Sequence, residues 1–471
     1  MRRGIIALLT ATVILLSGQS VMAASPKQGA PCSKIGAVQS NKGVAFKCTR
    51  VGKKLVWTST GGAGAVPSPT ATPTPSAIAI DPGVAANVSP ASALSSYATC
   101  QLKDTRPDQS FPYGASFTPR DWPLKVTGTI NVAILPLDFS DYPGTGDPSL
   151  LTKQAQDDAN AWLDFESQGR LKINWLTTNH WLRLAKTSKF YNFDERKDPM
   201  LYAQTEEDMG QQYINAADKT FDFSKLQAAI LMFPESTNDI PLGGYSHGYM
   251  LHSSHGTVSP IYFGGEYNFP TKPGMWQMWM HEFAHFQGIA GHAPGNGSPL
   301  HIMANQFGTA AIMDAWDSAI SGWLGAENIA CFDVNNLSST PTTVTMNAID
   351  GPRTGLVSTF VKISKSQVVV IEARKKDKYS DLPPNLEGLV AYVVDTSVVN
   401  QRCDACNPGL ELDKKQFAYY LRADGANRGY GAYGPLDLSS IAKPGESFTY
   451  NGLKIAFVSQ AGQTQIQLSR Q

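Results

Sequence analysis

Residues 280–292 read MHEFAHFQGIAGH, and this stretch decides the prediction for the central part of the chain. Residues 275–286 are compatible with a helix, and Gly288 is a natural stop just after it. Positions four apart project from one face of a helix, so His281 and His285 can reach a single metal ion through their ring nitrogens. Glu282 lies beside them and can hold a water molecule at the open coordination position. The stretch therefore predicts a zinc (Zn2+) site with Glu282 as the catalytic base.

The third metal ligand is less obvious. A catalytic zinc ion almost always has three protein ligands. In the spacing that accompanies this motif the third ligand stands ten residues after His281, where the chain has Gly291, a residue without a donor atom. His292 is one residue further on, and the flexibility of Gly291 would allow a longer turn to bring its ring to the metal. We predict His281, His285 and His292 as the metal ligands, with His301 as the alternative to His292.

The motif alone has moderate weight, because HExxH occurs by chance in many proteins and its histidines can be merely hydrogen-bonded. All eight histidines of the chain lie within residues 180–301. Three of them, His247, His252 and His255, lie in the glycine- and serine-rich stretch 243–256. We expect an exposed polar loop there. The alternative is a lip of the substrate cleft, where one side chain stabilises a tetrahedral oxyanion.

The N-terminus has the features of an export signal. Arg2 and Arg3 precede an apolar run at residues 5–16, and Val21-Met22-Ala23 forms a small-x-small cleavage site. We predict a signal peptide at residues 1–23 and a secreted, extracellular protein without a stable membrane anchor, since no later segment approaches eighteen apolar residues. Formal net charge is zero and 17% of the residues are charged, so nucleic acid is not an expected partner.

Six cysteines are present: Cys32, Cys48, Cys100, Cys331, Cys403 and Cys406. An even number in an exported protein predicts disulfide bonds. Cys32 and Cys48 lie in one short unit and are expected to pair. Cys403 and Cys406 can close a tight loop, which leaves Cys100 for Cys331. Half of a zinc knuckle is the alternative for Cys403 and Cys406, although the chain has no second pair to complete it.

Changes of composition divide the chain. We predict the signal peptide, a small cysteine-paired β module at 28–59, a Pro/Ala/Ser-rich linker at 60–96, a catalytic domain at 97–335 and a β-rich C-terminal domain at 336–471. The catalytic domain alternates strand patterns (129–137, 170–176 and 226–233) with helix patterns (150–167 and 200–217), which favours an α/β or α+β fold. Short β runs from about residue 340 onward are typical of a β-sandwich.

Several motifs occur in the order seen in one enzyme family: ILPLDFSDY at 134–142, ESQGRLKINW at 166–175, HEFAHFQG at 281–288, HIMANQFG at 301–308, DAWDSAISGWLG at 314–325 and VVVIEARKKDKYSDLPPNLEGLVAYVVD at 368–395. By these motifs the chain resembles the immune inhibitor A family of secreted, metzincin-like metallopeptidases over roughly residues 125–400. The resemblance implies an α+β metzincin-like catalytic domain followed by a β-sandwich-like domain.

The resemblance also implies roles for individual residues. His281 and His285 correspond to zinc ligands, Glu282 to the general base and Met303 to the methionine of the turn beneath the zinc. Met313 is a weaker candidate for that methionine, and ordinary core packing is the alternative for both. The family commonly has aspartate or histidine where this chain has Gly291. The module at 28–59 is similar to small cysteine-paired modules of secreted actinobacterial proteins, and it is either a folded spacer or a cell-surface contact.

Together these features predict a secreted zinc endopeptidase that acts on protein or peptide substrates. The alternative is a catalytically degenerate peptidase-like protein with a surface-binding or adhesive role. Zinc-dependent hydrolysis of another bond, such as an amide of cell-wall peptide, fits the motif equally well. Calcium (Ca2+) has no firm support: Asp138 with Asp141, or Asp314 with Asp317, could bind it, but solvated acidic loops are the simpler expectation.

Overall fold

The protein is a mixed α/β protein in which sheets predominate. The structure, a computed structural model, describes residues 27, 30–32, 34, 37–41, 44–51, 54–59, 80–106, 115–117, 124–191, 210–234, 244–246, 251–263, 274–289, 292–295, 297–398, 417–425 and 436–471. The chain divides into two compact units, residues 1–74 and residues 75–471. The predicted signal peptide, most of the predicted linker, His247, Gly291, Cys403 and Cys406 lie outside the described residues.

The first unit contains a three-stranded antiparallel sheet. Its strands are β1 (Val38–Asn41), β2 (Val44–Val51) and β3 (Lys54–Ser59), in that order. Phe46 and Trp57 are buried together with Cys48, which forms the predicted disulfide with Cys32. A core of this size excludes little apolar surface from water, so the covalent link supplies stability that packing alone does not.

The second unit begins with a short folded segment. It contains helix α1 (Pro82–Ala86), strand β4 (Val88–Ser89) and helix α2 (Tyr97–Cys100). Residues 80–96 fall within the stretch predicted as a linker. They form defined elements because Val84, Val88 and Leu94 are buried in a hydrophobic core.

A mainly parallel sheet forms the centre of the second unit. Its strands are β5 (Gly128–Asp138), β6 (Leu171–Leu176), β7 (Leu182–Arg183), β8 (Ala228–Met232), β9 (Gly244–Ser246), β10 (Leu251–His252) and β11 (Thr257–Phe263). The order is β10-β11-β8-β5-β6, with β7 on β5 and β9 on β11. β9 and β10 run antiparallel to β11, and the other pairs are parallel. The three strands predicted here from sequence are confirmed.

Helices cover both faces of this sheet: α3 (Pro148–Leu151), α4 (Lys153–Ser167), α5 (210–217) and α6 (Met275–Phe286). Helix α7 (Ala315–Ile320) follows α6 in the chain. Ile130, Val132 and Ile134 of β5 pack against α4 and α6, while the alternate residues of β5 pack on the side of α5. Burial on both faces explains the continuous apolar sequence of β5. The predicted apolar face of α4 is buried as expected.

The remaining strands form two sheets: β12 (Ile329–Asp333), β13 (Thr342–Met346), β14 (Ser358–Lys362), β15 (Gln367–Arg374), β16 (Gly388–Asp395), β17 (Ala418–Tyr420), β18 (Ile441–Ala442), β19 (Ser447–Tyr450), β20 (Leu453–Ser459) and β21 (Thr464–Arg470). One sheet has the order β12-β14-β15-β16-β17, with β18 on β16, and the other has the order β19-β20-β21-β13-β4. The two sheets share one apolar core, as the short β runs predicted.

The other face of the β12–β17 sheet packs against α7 and α2. Trp316 of α7 and Cys100 of α2 share a core with Phe360 and Val370. Cys100 and Cys331 form a disulfide across a separation of 231 residues, as the cysteine count predicted. β4 also pairs with β13, so the start of the second unit is bound to the C-terminal sheets. Among the described residues, no helix combines the length and apolar character needed to cross a membrane.

Candidate metal centre

Helix α6 carries the first two predicted ligands. Met278, Met280 and Phe283 are buried against the central sheet, which holds the helix in place. The helix ends after Phe286, as predicted. Gly288 has φ +90°, a left-handed conformation that glycine adopts without steric penalty, and it reverses the chain direction.

Three imidazole rings meet at the C-terminal end of this helix. The Nε2 atoms of His281 and His285 are 3.2 Å apart, and so are those of His281 and His292. One ring nitrogen from each of the three residues lies within 4.8 Å of the other two. His281 is buried, while His285 and His292 are half-buried. The group could therefore hold a metal ion.

Backbone carbonyl groups determine the tautomers of the two helical histidines. Nδ1–H of His281 donates to the carbonyl of Ile302 at 2.9 Å, and Nδ1–H of His285 donates to the carbonyl of Ile289 at 3.2 Å. A carbonyl can only accept, so the proton of each neutral ring is on Nδ1 and the Nε2 lone pair is free. Two lone pairs then face each other at 3.2 Å, and a cation between them would satisfy both.

The electrostatic surroundings keep these rings neutral. Burial lowers the pKa of His281 well below its usual value, and the neighbouring His285 and His292 lower it further. Burial and His292 lower the pKa of His285 to about 3. The pKa of His292 is lowered by burial and by His301. Because a metal binds the neutral ring, the group is ready to bind at neutral pH without losing protons.

Glu282, the predicted base, follows His281 on α6 and is 4% exposed. A carboxylate beside a metal-bound water is suited to accept and return a proton.

The structure distinguishes the two candidates for the third ligand. His292 belongs to the group, whereas His301 points its Nε2–H at the carbonyl of Pro294, 3.0 Å away. His301 is fully buried, and burial lowers its pKa to about 4. His301 therefore contacts the backbone two residues after His292 and is not one of the three converging rings. The local sequence carries no signal for this contact.

Met303 lies in a turn that contacts His281 through the residue before it. Its side chain is completely buried in the core that surrounds α6, and the preceding residue, Ile302, accepts the hydrogen bond from His281. Met313 is buried in the same core, but its backbone N–H donates to Glu166. Of the two methionines, Met303 is therefore the one whose turn touches a predicted ligand.

Other predicted positions lie elsewhere. His252 and His255 are exposed, at β10 and in the turn that follows it. Asp138 accepts from Arg183, at 2.6 and 2.9 Å, and Asp141 accepts from Ser188. These contacts already engage both carboxylates. Asp141 is exposed, but Asp138 is buried at the end of β5, so the expectation of a solvated loop was wrong for Asp138.

The second acidic pair is buried instead of solvated. Asp314 caps α7 and accepts from the backbone N–H of Asp317 at 2.8 Å. Burial raises the pKa of Asp314 to about 6, and burial together with Asp314 and Glu372 raises the pKa of Asp317 well above its usual value. The expectation of a solvated loop was wrong here, because α7 packs between the central core and β15.

No model of a known protein family matches the chain, and no curated protein matches it either. We therefore base the function on the histidine group and its surroundings.

Proposed function

We propose that the protein is a secreted zinc-dependent endopeptidase of the immune inhibitor A type that hydrolyses peptide bonds of protein or peptide substrates. The observation that carries the proposal is the convergence of the imidazoles of His281, His285 and His292, and Glu282 follows the first of them in the sequence of α6. Three protein ligands and an open position are characteristic of catalytic zinc sites, whereas structural sites have four protein ligands.

The spacing of the nitrogen atoms supports zinc. Zinc binds imidazole nitrogen at about 2.0–2.1 Å in a tetrahedral arrangement, which separates two such nitrogens by about 3.3 Å. The Nε2 atom of His281 lies 3.2 Å from those of both His285 and His292. Nδ1–H bonds to backbone carbonyls, as at His281 and His285, are also typical of zinc-binding histidines.

The chemistry follows from these residues. A zinc ion at this position supplies a Lewis acid and lowers the pKa of a water molecule towards neutrality. The carboxylate oxygens of Glu282 accept the proton of that water and deliver it to the amine nitrogen as the peptide bond breaks. His281, His285 and His292 stay neutral because burial lowers their pKa values, so their lone pairs remain available.

The surrounding structure also supports the proposal. The carbonyl of Ile302, the residue before Met303, accepts a hydrogen bond from His281, and this contact supports the role of turn methionine that the family resemblance implies for Met303. The parallel sheet holds α6 by its apolar face and leaves the ligands at the end of the helix. Two disulfides are typical of proteins that fold in an oxidising compartment, which supports export.

The test uses the purified mature chain and two substitutions. Glu282→Gln removes the base and keeps the shape of the side chain, and Glu446→Gln makes the same change at an exposed glutamate of the C-terminal sheets. We expect about one zinc per chain in all three proteins. Casein hydrolysis is expected to fall by about 10²–10⁴-fold in Glu282→Gln only.

Two results would contradict the proposal. One is hydrolysis that survives in Glu282→Gln at the rate of the parent. The other is a parent chain that binds no stoichiometric metal, which would favour the degenerate, surface-binding protein. Cleavage of cell-wall peptide but not of casein would keep the metal chemistry and change the substrate.

A further inference from the structure

We propose that His301 is a positioning residue that holds the loop carrying His292 against the C-terminal sheets, so that metal affinity depends on contacts from those sheets. This inference rests on the metal site of the proposed function.

The contacts of His301 identify it as part of the loop support. It is fully buried, and its Nε2–H donates to the carbonyl of Pro294, two residues after His292. Its Nδ1 is buried without a hydrogen-bond partner in the described part of the chain. A neutral ring with its proton on Nε2 satisfies the carbonyl and leaves only an unprotonated Nδ1, so the ring orientation is set by the Pro294 contact.

The same turn also contacts the first ligand. The carbonyl of His301 accepts from the backbone N–H groups of Ala304 and Asn305, which closes the turn, and the carbonyl of Ile302 accepts from Nδ1–H of His281. One tight turn thus orients the ring of His281 through its backbone and supports the loop of His292 through a side chain. A displacement of this turn would alter both ligands together.

The C-terminal sheets hold the loop from the other side. Arg374 of β15 donates from Nη2 to the carbonyl of Leu300 at 2.5 Å and is itself paired with the buried Asp350 at 2.8 Å. Tyr420 of β17 is hydrogen-bonded to the hydroxyl of Ser298 at 3.2 Å.

The ring of Tyr420 also lies close to Gly295. A Cβ atom at Gly295 would come within 2.9 Å of that ring. The loop after His292 is therefore packed against β15 and β17 at several points.

The physical consequence concerns affinity. A ligand on a loop that is ordered before the metal arrives binds without a further loss of conformational entropy, whereas a loose loop loses entropy on binding. Groups outside the ligand set that orient ligands typically change metal affinity by about 10–100-fold when they are removed. His301 is such a group, because it holds the backbone two residues after His292.

The experiment compares zinc affinity in four proteins by competition with a chromogenic chelator. His301→Leu replaces the imidazole with an apolar side chain that has no N–H donor. His301→Gln retains an amide N–H that can reach the carbonyl of Pro294. Ser358→Ala is the matched control, because it removes a different buried bond to a carbonyl, that of Ser358 Oγ to Ile371 at 2.9 Å. The visible absorption of the cobalt-loaded proteins reports the ligand geometry independently.

We expect zinc affinity to fall by about 10–100-fold in His301→Leu, to stay within about threefold of the parent in His301→Gln, and to be unchanged in Ser358→Ala. The cobalt spectrum of His301→Leu should broaden or shift. Equal affinity in His301→Leu and the parent would overturn the proposal. So would a loss in His301→Gln as large as in His301→Leu, since His301 would then be a ligand itself.

A second variant decides the matter if His301→Leu does not fold. Tyr420→Phe removes only the hydroxyl that binds Ser298. We expect its zinc affinity to fall at least about threefold at an unchanged melting temperature, and an unchanged affinity would refute the role of the C-terminal sheets. If the parent binds zinc but Glu282→Gln hydrolyses casein at the parent's rate, the proposed function is rejected and this inference is unaffected. A parent without zinc affinity would reject both.

Discussion

Replacement of His292 by alanine tests the metal centre most directly. The structure places its Nε2 3.2 Å from that of His281, with the two rings stacked at 5.1 Å between centroids. His292 is half-buried, so the substitution creates little cavity and should leave the metal-free fold nearly as stable as before. The effect on metal binding should be much larger.

The expected magnitude follows from the number of ligands. Apparent binding free energies of zinc in four-ligand protein sites are about 10–16 kcal/mol, which corresponds to about 2.5–4 kcal/mol per ligand. Loss of one imidazole should therefore weaken zinc binding by about 10²–10³-fold, at about 1.4 kcal/mol for each factor of ten. A water molecule that replaces the imidazole would recover part of this loss, so the lower end is the firmer expectation.

The assay is competition with a chelator of known zinc affinity at neutral pH, with the melting temperature of the metal-free protein measured in parallel. His255→Ala removes an exposed imidazole and serves as the control, with no expected change in affinity. If His292→Ala bound zinc within threefold of the parent, the third ligand would have to be another residue, and the geometry described above would not be that of the bound state.

Two further predictions concern buried ionisable side chains, Asp317 and the pair Arg353 and Glu166. Burial and the neighbouring Asp314 and Glu372 raise the pKa of Asp317, so the folded protein loses stability as pH rises from the unfolded pKa towards the folded one. Asp317→Asn should therefore become increasingly stable relative to the parent as pH rises, by up to about 1.4 kcal/mol per pH unit. Melting curves of both proteins at pH 5 and pH 8 test this, and a stability difference between variant and parent that is the same at both pH values would disprove it. Arg353 binds both carboxylate oxygens of Glu166, at 2.6 and 2.7 Å, with both side chains at most 1% exposed, so Arg353→Met should reduce the free energy of unfolding by about 3–5 kcal/mol in urea titrations. A loss below about 1 kcal/mol would mean that Glu166 does not need its partner.

The local elements followed closely from sequence. Helix α6 was predicted at 275–286 and spans Met275–Phe286, because the helix-compatible segment and the glycine stop after it are both contained in one short stretch. Strand β5 was predicted at 129–137 and spans Gly128–Asp138, because a short continuous apolar run is typical of a strand that is buried on both faces. The pairing of Cys100 with Cys331 came from counting, since two pairs had already been assigned.

The path of the chain after the helix could not be predicted in the same way. His292 and His301 were both possible third ligands, and their spacing from His281 did not decide between them. The choice depends on hydrogen bonds to the carbonyls of Pro294 and Ile302, which any residue type could provide. Asp314 and Asp317 likewise gave no sign of burial, because the groups around them, Glu372 and Tyr392, are 55 or more residues away in sequence.

The helix that carries His281 and His285, the alternation of strands and the disulfide pairs in the described residues could all be inferred from spacing along the chain or from the number of cysteines. The position of His292 beside the helical pair, and the contact of His301 with Pro294, became visible only in the folded chain. The loop between them is oriented by contacts from β15 and β17, which are distant in sequence, and such contacts produce no periodic pattern in the amino-acid sequence.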